Sequence, residues 1–449
     1  MRQREIFWFW APLFASWLLM TAEGPIISAA INRLPDEVIM LAAQGIVMSL
    51  SVTIESPVIN LLATSTALVR DRASYLLVRR FTLHLSVLVT AVAAAVAFTP
   101  LFDLVVLNWL GTPAPVAYWV LPGMQIMTLW SAAIAWRRFL QGVLIHCGQT
   151  RKVAWGTLVR LLVSGGTAVS LALWSGWPGV ILGATALMAG VVAEAIYATL
   201  AVRPLLRTEL AAAPPADDEP PLTYSALFWF HLPLAATSLL VLLAQPLVTF
   251  SLARLDQPTE SLAAWPVLFQ IMLMARAAAL ALPEAVIALS KGRTNFLPLR
   301  RFSFSLTTAV TLLTLLFVAT PLNRFYIFVV QDMEPDVGRL AQSSLALFVL
   351  FPGLAVLTSW LRGLLIKSRL TREVNVGMAV NLTVTAVLLG AGLLLRLPGL
   401  PTAAVALNIA ALGELIYLAR RTQKKLDLDY PLLRAWKRAP QTLPEKFNL

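Results

Sequence analysis

The feature that most limits what this chain can fold into is a succession of unbroken apolar runs of 20 or more residues along most of its length. About 20 apolar residues wound as a helix cross the hydrocarbon core of a bilayer with every backbone group satisfied internally. Twelve such spans can be placed, at about 7–31, 38–68, 79–99, 116–145, 153–174, 177–201, 224–252, 260–289, 302–321, 340–366, 374–395 and 401–419. They lack the alternating segments of about ten residues that a membrane barrel requires. With 58% hydrophobic and 13% charged residues, the expected class is an all-α polytopic membrane protein.

The spans come in two sets of six. Phe7 to Leu34 returns 221 positions later as Phe228 to Leu255, so Pro12, Pro25 and Arg33 find counterparts in Pro233, Pro246 and Arg254. At the same offset Arg70 to Phe81 matches Lys291 to Phe302, and Gly142 to Val153 matches Gly363 to Val374; Glu194 matches Glu414 at an offset of 220. Six is an even number, so the repeats are parallel and form two pseudo-symmetric six-helix bundles related by an axis along the membrane normal. The expected organisation is an N-terminal lobe (1–202), a proline-rich linker (203–223), a C-terminal lobe (224–420) and a basic tail (421–449).

Most of the 35 Lys and Arg residues fall at the N-terminus, in alternate loops and in the tail, which puts both termini in the cytoplasm and the protein in the inner (plasma) membrane. The net charge of +12 therefore sets orientation and does not imply a nucleic-acid partner. MRQREIFWFW is read as an uncleaved first span, because its internal copy cannot be a signal peptide. One cysteine, Cys147, excludes an intramolecular disulfide, and the three histidines show no metal-ligand spacing. No Walker motif or hydrolase grouping occurs, so no enzyme activity, cofactor or metal is expected; the partners are lipid and a small molecule, and the chain is taken as monomeric.

Charge inside a span costs at least about 2.5–3.5 kcal/mol at the bilayer centre, so each such residue needs a partner or a wet cavity. Features kept by both repeats are read as scaffold, and features that differ as candidates for function. Pro25 and Pro246 are the matched helix kinks, and Pro122-Gly123 and Pro352-Gly353 suggest a matched irregularity in spans 4 and 10. Glu23, whose counterpart is Ala244, is a candidate coupling acid for a proton or sodium ion. Glu55 and its counterpart Arg276 are candidates to line a central cleft and pair across it in one conformation. Glu284 is a secondary candidate, and Arg137 and Arg138 could attract an anion. Arg160 with Glu194, and Arg362 with Glu414, are expected to form ion pairs within their own lobes.

Twelve spans in two parallel halves, with Pro25 and Pro246 in spans 1 and 7, resemble the multidrug and toxic-compound extrusion (MATE) family and its wider exporter superfamily. Pro12-Leu13, Asn32-Arg33, Met40-Leu41-Ala42 before Gly45, and Arg70-Asp71-Arg72 resemble the progressive-ankylosis (ANKH-like) branch. The MATE resemblance implies two lobes, alternating access and efflux driven by inward proton or sodium movement, with Glu23 in the span where some members carry a coupling acid. Ala244 and Arg362 stand where acids are common in spans 7 and 10, which weighs against cationic drugs. The ANKH-like resemblance implies export of pyrophosphate or organic anions instead. The superfamily also contains lipid-linked glycan flippases. A non-transporting membrane scaffold is the alternative of a different class.

Overall fold

The computed structural model describes residues 2–212, 222–290, 295–368 and 370–425. The proline-rich part of the expected linker and nearly all of the basic tail lie outside the described residues. In chain order the helices are α1 (Gln3–Thr21), α2 (Glu23–Ile31), α3 (Glu37–Ile59), α4 (Leu61–Leu68), α5 (Arg72–Phe98), α6 (Ala114–Ile126), α7 (Trp130–His146), α8 (Thr150–Trp174), α9 (Gly179–Ala212) and α10 (Tyr224–Leu242). They continue as α11 (Ala244–Leu252), α12 (Pro258–Ala275), α13 (Ala277–Leu289), α14 (Phe296–Ala319), α15 (Leu322–Phe325), α16 (Pro335–Leu345), α17 (Phe351–Lys367), α18 (Thr371–Leu394) and α19 (Gly399–Lys425). Among the described residues, ten helices are long and apolar enough to span a membrane, and the pair Pro335–Phe348 and Phe351–Lys367, bent by 45°, makes an eleventh. The pair α6 and α7, which holds Arg137 and Arg138, completes the twelve-helix layout.

Two prolines break the first span of each repeat at the same place. A proline ring clashes with the carbonyl four residues earlier and donates no hydrogen bond to it. For Pro25 that residue is Thr21, where α1 ends; for Pro246 it is Leu242, where α10 ends. Spans 4 and 10 are broken by short 3₁₀ turns at Met127–Leu129 and Ala346–Phe348. Pro122 precedes its turn whereas Pro352 follows its own, so the two Pro-Gly pairs do not occupy matching places.

The repeat is also written in the backbone. Asp36 and Gln257, 221 positions apart, both have positive φ (57° and 52°), as do Gly111 and Asp332 (67° and 52°). Gly176 and Arg396, 220 apart, follow at 62° and 51°. Single-turn π-helices end at Trp109 and Val330, again 221 apart. The first of these has its last carbonyls capped by Arg254, which donates to Asn108 O (3.1 Å), Trp109 O (2.5 Å) and Leu110 O.

The chain divides into two compact units: Met1–Pro25, Leu255–Gln257 and Val267–Leu449 form unit 1, and Ile26–Arg254 with Pro258–Pro266 form unit 2. These units cut across the expected 1–202 and 224–420 division. In unit 1 the α1 residue Trp10 donates from Nε1 to Ala278 O (3.1 Å) and stacks on Phe14 at 4.9 Å. In unit 2 the α10 residues are bonded to α3 and α4: Asn60 Nδ2 donates to Leu234 O (2.7 Å), and His231 lies 2.8 Å from both Thr64 Oγ1 and Pro57 O. The first repeat thus gives the Met1–Pro25 part of its first span to the unit built mostly from the second repeat, and the second repeat gives its first span, Tyr224–Leu252, to the unit built mostly from the first. α9 continues as helix through Ala212, so the connection expected from residue 203 starts later.

Between spans 2 and 3, Asp71 caps α5: its side chain accepts from Ser74 N (2.7 Å) and Ser74 Oγ (2.8 Å). These bonds hold the carboxyl below its ordinary range. A depressed carboxyl contributes stability above its unfolded value that is lost as pH falls through the folded one. Asp71→Ala should therefore cost about 0.5–2 kcal/mol at neutral pH. Unfolding in detergent, compared at neutral and acid pH, should show the difference from the parent shrinking in acid.

Candidate functional site

Each unit holds a small assembly of charge among its helices, and each is organised by one carboxylate. In unit 2 this is Glu194 on α9, which is fully buried. Arg137 and Gln141 are four residues apart on α7, so they lie one above the other on a single face. Both reach Glu194, Arg137 Nη1 donating to Oε2 at 2.7 Å and Gln141 Nε2 to Oε1 at 2.9 Å. In unit 1 the carboxylate is Glu414 on α19. Arg362 donates to its Oε1 from Nε at 2.8 Å and Nη2 at 2.5 Å, and Asn381 Nδ2 donates to Oε2 at 3.0 Å.

The Arg362–Glu414 pair is as expected from sequence, whereas the expected Arg160–Glu194 pair is not formed. Glu194 takes Arg137 instead, and Arg160 lies over the Trp130 ring at 5.6 Å. The repeat offset explains the change. Position 141 is Gln where its counterpart 362 is Arg, so the cation that satisfies Glu194 comes from the preceding turn of α7. Arg160 itself corresponds to Asn381, the second ligand of Glu414.

Glu55 on α3 is 8% exposed and accepts a short hydrogen bond from Trp130 Nε1. Arg137, Arg138 and Arg160 all act on its charge. Its counterpart Arg276, at the junction of α12 and α13 in unit 1, stands 4.9 Å from the centre of the Phe351 ring. Trp130 and Phe351 are themselves 221 positions apart. Position 55/276 therefore rests on aromatic 130/351 in both units, with opposite charge. Neither aromatic stood out in the sequence, though the offset alone would have found them.

Two cations in these assemblies stand outside their ion pairs. Arg138 and Arg276 make no hydrogen bond or ion pair among the described residues, and the Nε of each is buried without an acceptor. Both side chains are only partly covered. Arg137 is committed to Glu194, so the two expected anion-attracting arginines of α7 have different surroundings.

Glu23 is the first residue of α2, next to the break at Ala22, and is 6% exposed. The two residues that follow it meet polar side chains of unit 1. Gly24 faces the side chain of Gln270 so closely that an added Cβ would lie 2.9 Å from Cγ. The carbonyl of Pro25 accepts from Gln331 Nε2 (3.1 Å), which also reaches the Tyr326 hydroxyl (3.0 Å). Glu284 stands exposed on α13, without a hydrogen bond or ion pair among the described residues. Glu55 belongs to unit 2, and Glu23, Arg276 and Glu284 to unit 1. Among the described residues no group of three or more His, Cys, Asp or Glu could hold a metal ion.

No protein-family model and no curated protein matches this sequence. Solved structures do. A multidrug resistance MATE family transporter of the MOP superfamily, in an inward-facing conformation, is similar with a TM-score of 0.71 at 12% identity, over 92% of this chain and 96% of that one. The lipid II flippase MurJ, in an inward closed conformation, gives 0.68 at 12% identity, over 92% and 87%. A MOP superfamily transporter from Pyrococcus furiosus Vc1, described as having a binding pocket of reversed polarity that suggests a different function, gives 0.64 at 12% identity, over 95% and 96%. The fold is therefore that of the MATE transporters and of their MOP superfamily neighbours.

Proposed function

We propose that this protein is a secondary transporter that carries a small anion across the membrane by alternating access. The observation that carries this reading is that Arg138 and Arg276, one in each unit, make no ion pair among the described residues and each keep a buried Nε without an acceptor. A cation inside a membrane span whose donors are unsatisfied is costly, and a bound anion offsets that cost. The same arginines would repel a cationic drug. Phosphate or carboxylate groups suit a guanidinium, which offers them paired donors. The transporter from Pyrococcus furiosus offers a parallel, since its pocket is described as reversed in polarity within a shared fold.

Efflux driven by inward proton or sodium movement is the second reading, favoured by Glu23, a buried carboxylate beside a helix break and among the amides of Gln270 and Gln331. Proteoliposomes decide between cargoes: counterflow of pyrophosphate or citrate is expected, and counterflow of a cationic dye is not. Transport of the dye alone would overturn the anion reading. Arg138→Gln and Arg276→Gln should each lower anion counterflow about tenfold or more, the loss of one charge-assisted contact of about 1.5–3 kcal/mol, with the folded yield unchanged.

A further inference from the structure

Each unit docks the first span of the other repeat through the same bond. Trp10 and His231 are 221 positions apart, and so are the carbonyls they reach: Trp10 Nε1 donates to Ala278 O at 3.1 Å in unit 1, and His231 Nε2 to Pro57 O at 2.8 Å in unit 2. Both rings are buried. An indole suffices for this bond in unit 1, so the imidazole in unit 2 answers to something besides the docking.

What the imidazole adds is a second nitrogen. Nδ1 lies 2.8 Å from Thr64 Oγ1 on α4, and the counterpart of Thr64 is Ala285, which has no group to offer. Ring and partner therefore differ together between the repeats. A carbonyl only accepts, so Nε2 carries the proton bonded to Pro57 O; in the neutral ring Nδ1 is then an acceptor and takes the Thr64 hydroxyl. Thr64 is fully buried, and its neighbour Thr66 bonds back to the Leu62 carbonyl at 2.8 Å instead. A second proton on the ring lands on Nδ1. It sets two donors face to face until the hydroxyl turns away, and it places a charge inside a span. Water reaching the ring as α10 parts from α3 relieves both costs.

Among the described residues no acid is bonded to the ring. Of the elements packed against α10, α4 and α11 carry no titratable residue. Helix α3 has Glu37 in its first turn and Glu55, which accepts from Trp130 Nε1. Helix α5 has Arg72, Arg79 and Arg80, all exposed, and Tyr75, whose ring packs on Phe139 at 5.3 Å. Its His84 lies 2.9 Å from the hydroxyl of Tyr224, the other titratable residue of α10. The side chain that α5 sets against the His231 ring is Phe81, edge to face at 5.2 Å.

We propose that His231 is a proton site that fastens the seventh span to the second: without the extra proton the ring holds α10 on α3 and α4, and the proton releases it. The site is independent of the cargo. The control belongs to the seventh span alone, because the indole of Trp10 is a donor that does not titrate.

The test is hydrogen–deuterium exchange of the full-length protein in nanodiscs, read by mass spectrometry between about pH 8 and about pH 5, the range in which a histidine changes charge, and corrected for the intrinsic effect of pH on exchange. In the parent, α10 should open more readily as pH falls, by up to about tenfold per pH unit, the most that one proton can do. Over the same range α1 should keep its protection. His231→Trp combined with Thr64→Ala gives unit 2 the pair that unit 1 has, and α10 should then be as indifferent to pH as α1. A parent in which α10 shows no loss in acid, or a loss equal to that of α1, overturns the proposal. That comparison needs no variant, so it decides even if the double variant fails to fold. An unchanged acid loss in a folded double variant assigns the proton to another group and overturns the proposal as well.

Discussion

Glu194→Ala is expected to destabilise the protein by about 3–5 kcal/mol, the cost of leaving one member of a buried ion pair without its counter-charge. Arg137 is 3% exposed and its Nε already lacks an acceptor, so it cannot turn to solvent when the carboxylate is lost. The measurement is thermal unfolding in detergent. Adding Arg137→Met to Glu194→Ala should recover most of the loss, because a well-packed apolar replacement is often as stable as the pair itself. Glu414→Ala should behave more mildly, since Arg362 is 25% exposed and has a route to water. Equal losses for the two carboxylates would contradict the difference in burial on which the expectation stands.

Gly142→Val should be nearly as damaging, at about 1–3 kcal/mol or more. At Gly142, α7 crosses α4 so closely that an added Cβ would lie 2.5 Å from the Leu62 carbonyl oxygen, 3.0 Å from Thr66 N and against the Ser65 side chain. Backbone cannot yield as a flexible side chain does, so the helices would have to part. Small residues at such crossings are what let helices pack closely in a membrane, where no hydrophobic effect drives them together. The counterpart Gly363 faces Val286 Cβ at 2.8 Å and Pro283 Cα at 3.2 Å, and 283 and 286 are the counterparts of 62 and 65. Gly390→Val is the control, because nothing lies within 4 Å of the Cβ position there. Comparable unfolding temperatures for the Gly142 and Gly390 variants would show that the crossing has room to spare.

The class of fold was legible because bilayer thickness sets a length that no soluble helix pattern imitates, and because the repeat made every span testable against its copy. The break after Thr21 followed from Pro25 by simple steric rules. Other features depend on three-dimensional placement and could not be read. Nothing in the local sequence says that Glu194 is satisfied from α7 rather than by Arg160 on α8, since depth along a helix is readable but its rotation toward a neighbour is not. The packing of α1 with the second repeat was likewise hidden, because apolar faces in lipid name no partner. The polar setting of Glu23, with Gln270 and Gln331 far away in the chain, belongs to the same class. Comparison of the repeats nevertheless singled out the pair Glu55 and Arg276, where equivalent positions, each against an aromatic ring, carry opposite charge.

The three matched pairs of positive-φ residues bear on how the molecule came to be. A left-handed turn suits glycine, yet in these pairs the counterpart of Gly111 is Asp332 and that of Gly176 is Arg396, and at the first pair both copies, Asp36 and Gln257, have a side chain. The path of the chain has outlasted the residues best fitted to follow it. In a duplicated membrane protein the loops thus act as a slower clock than the sequence, and the ancestral half can be traced by where its backbone turns after its side chains have drifted apart.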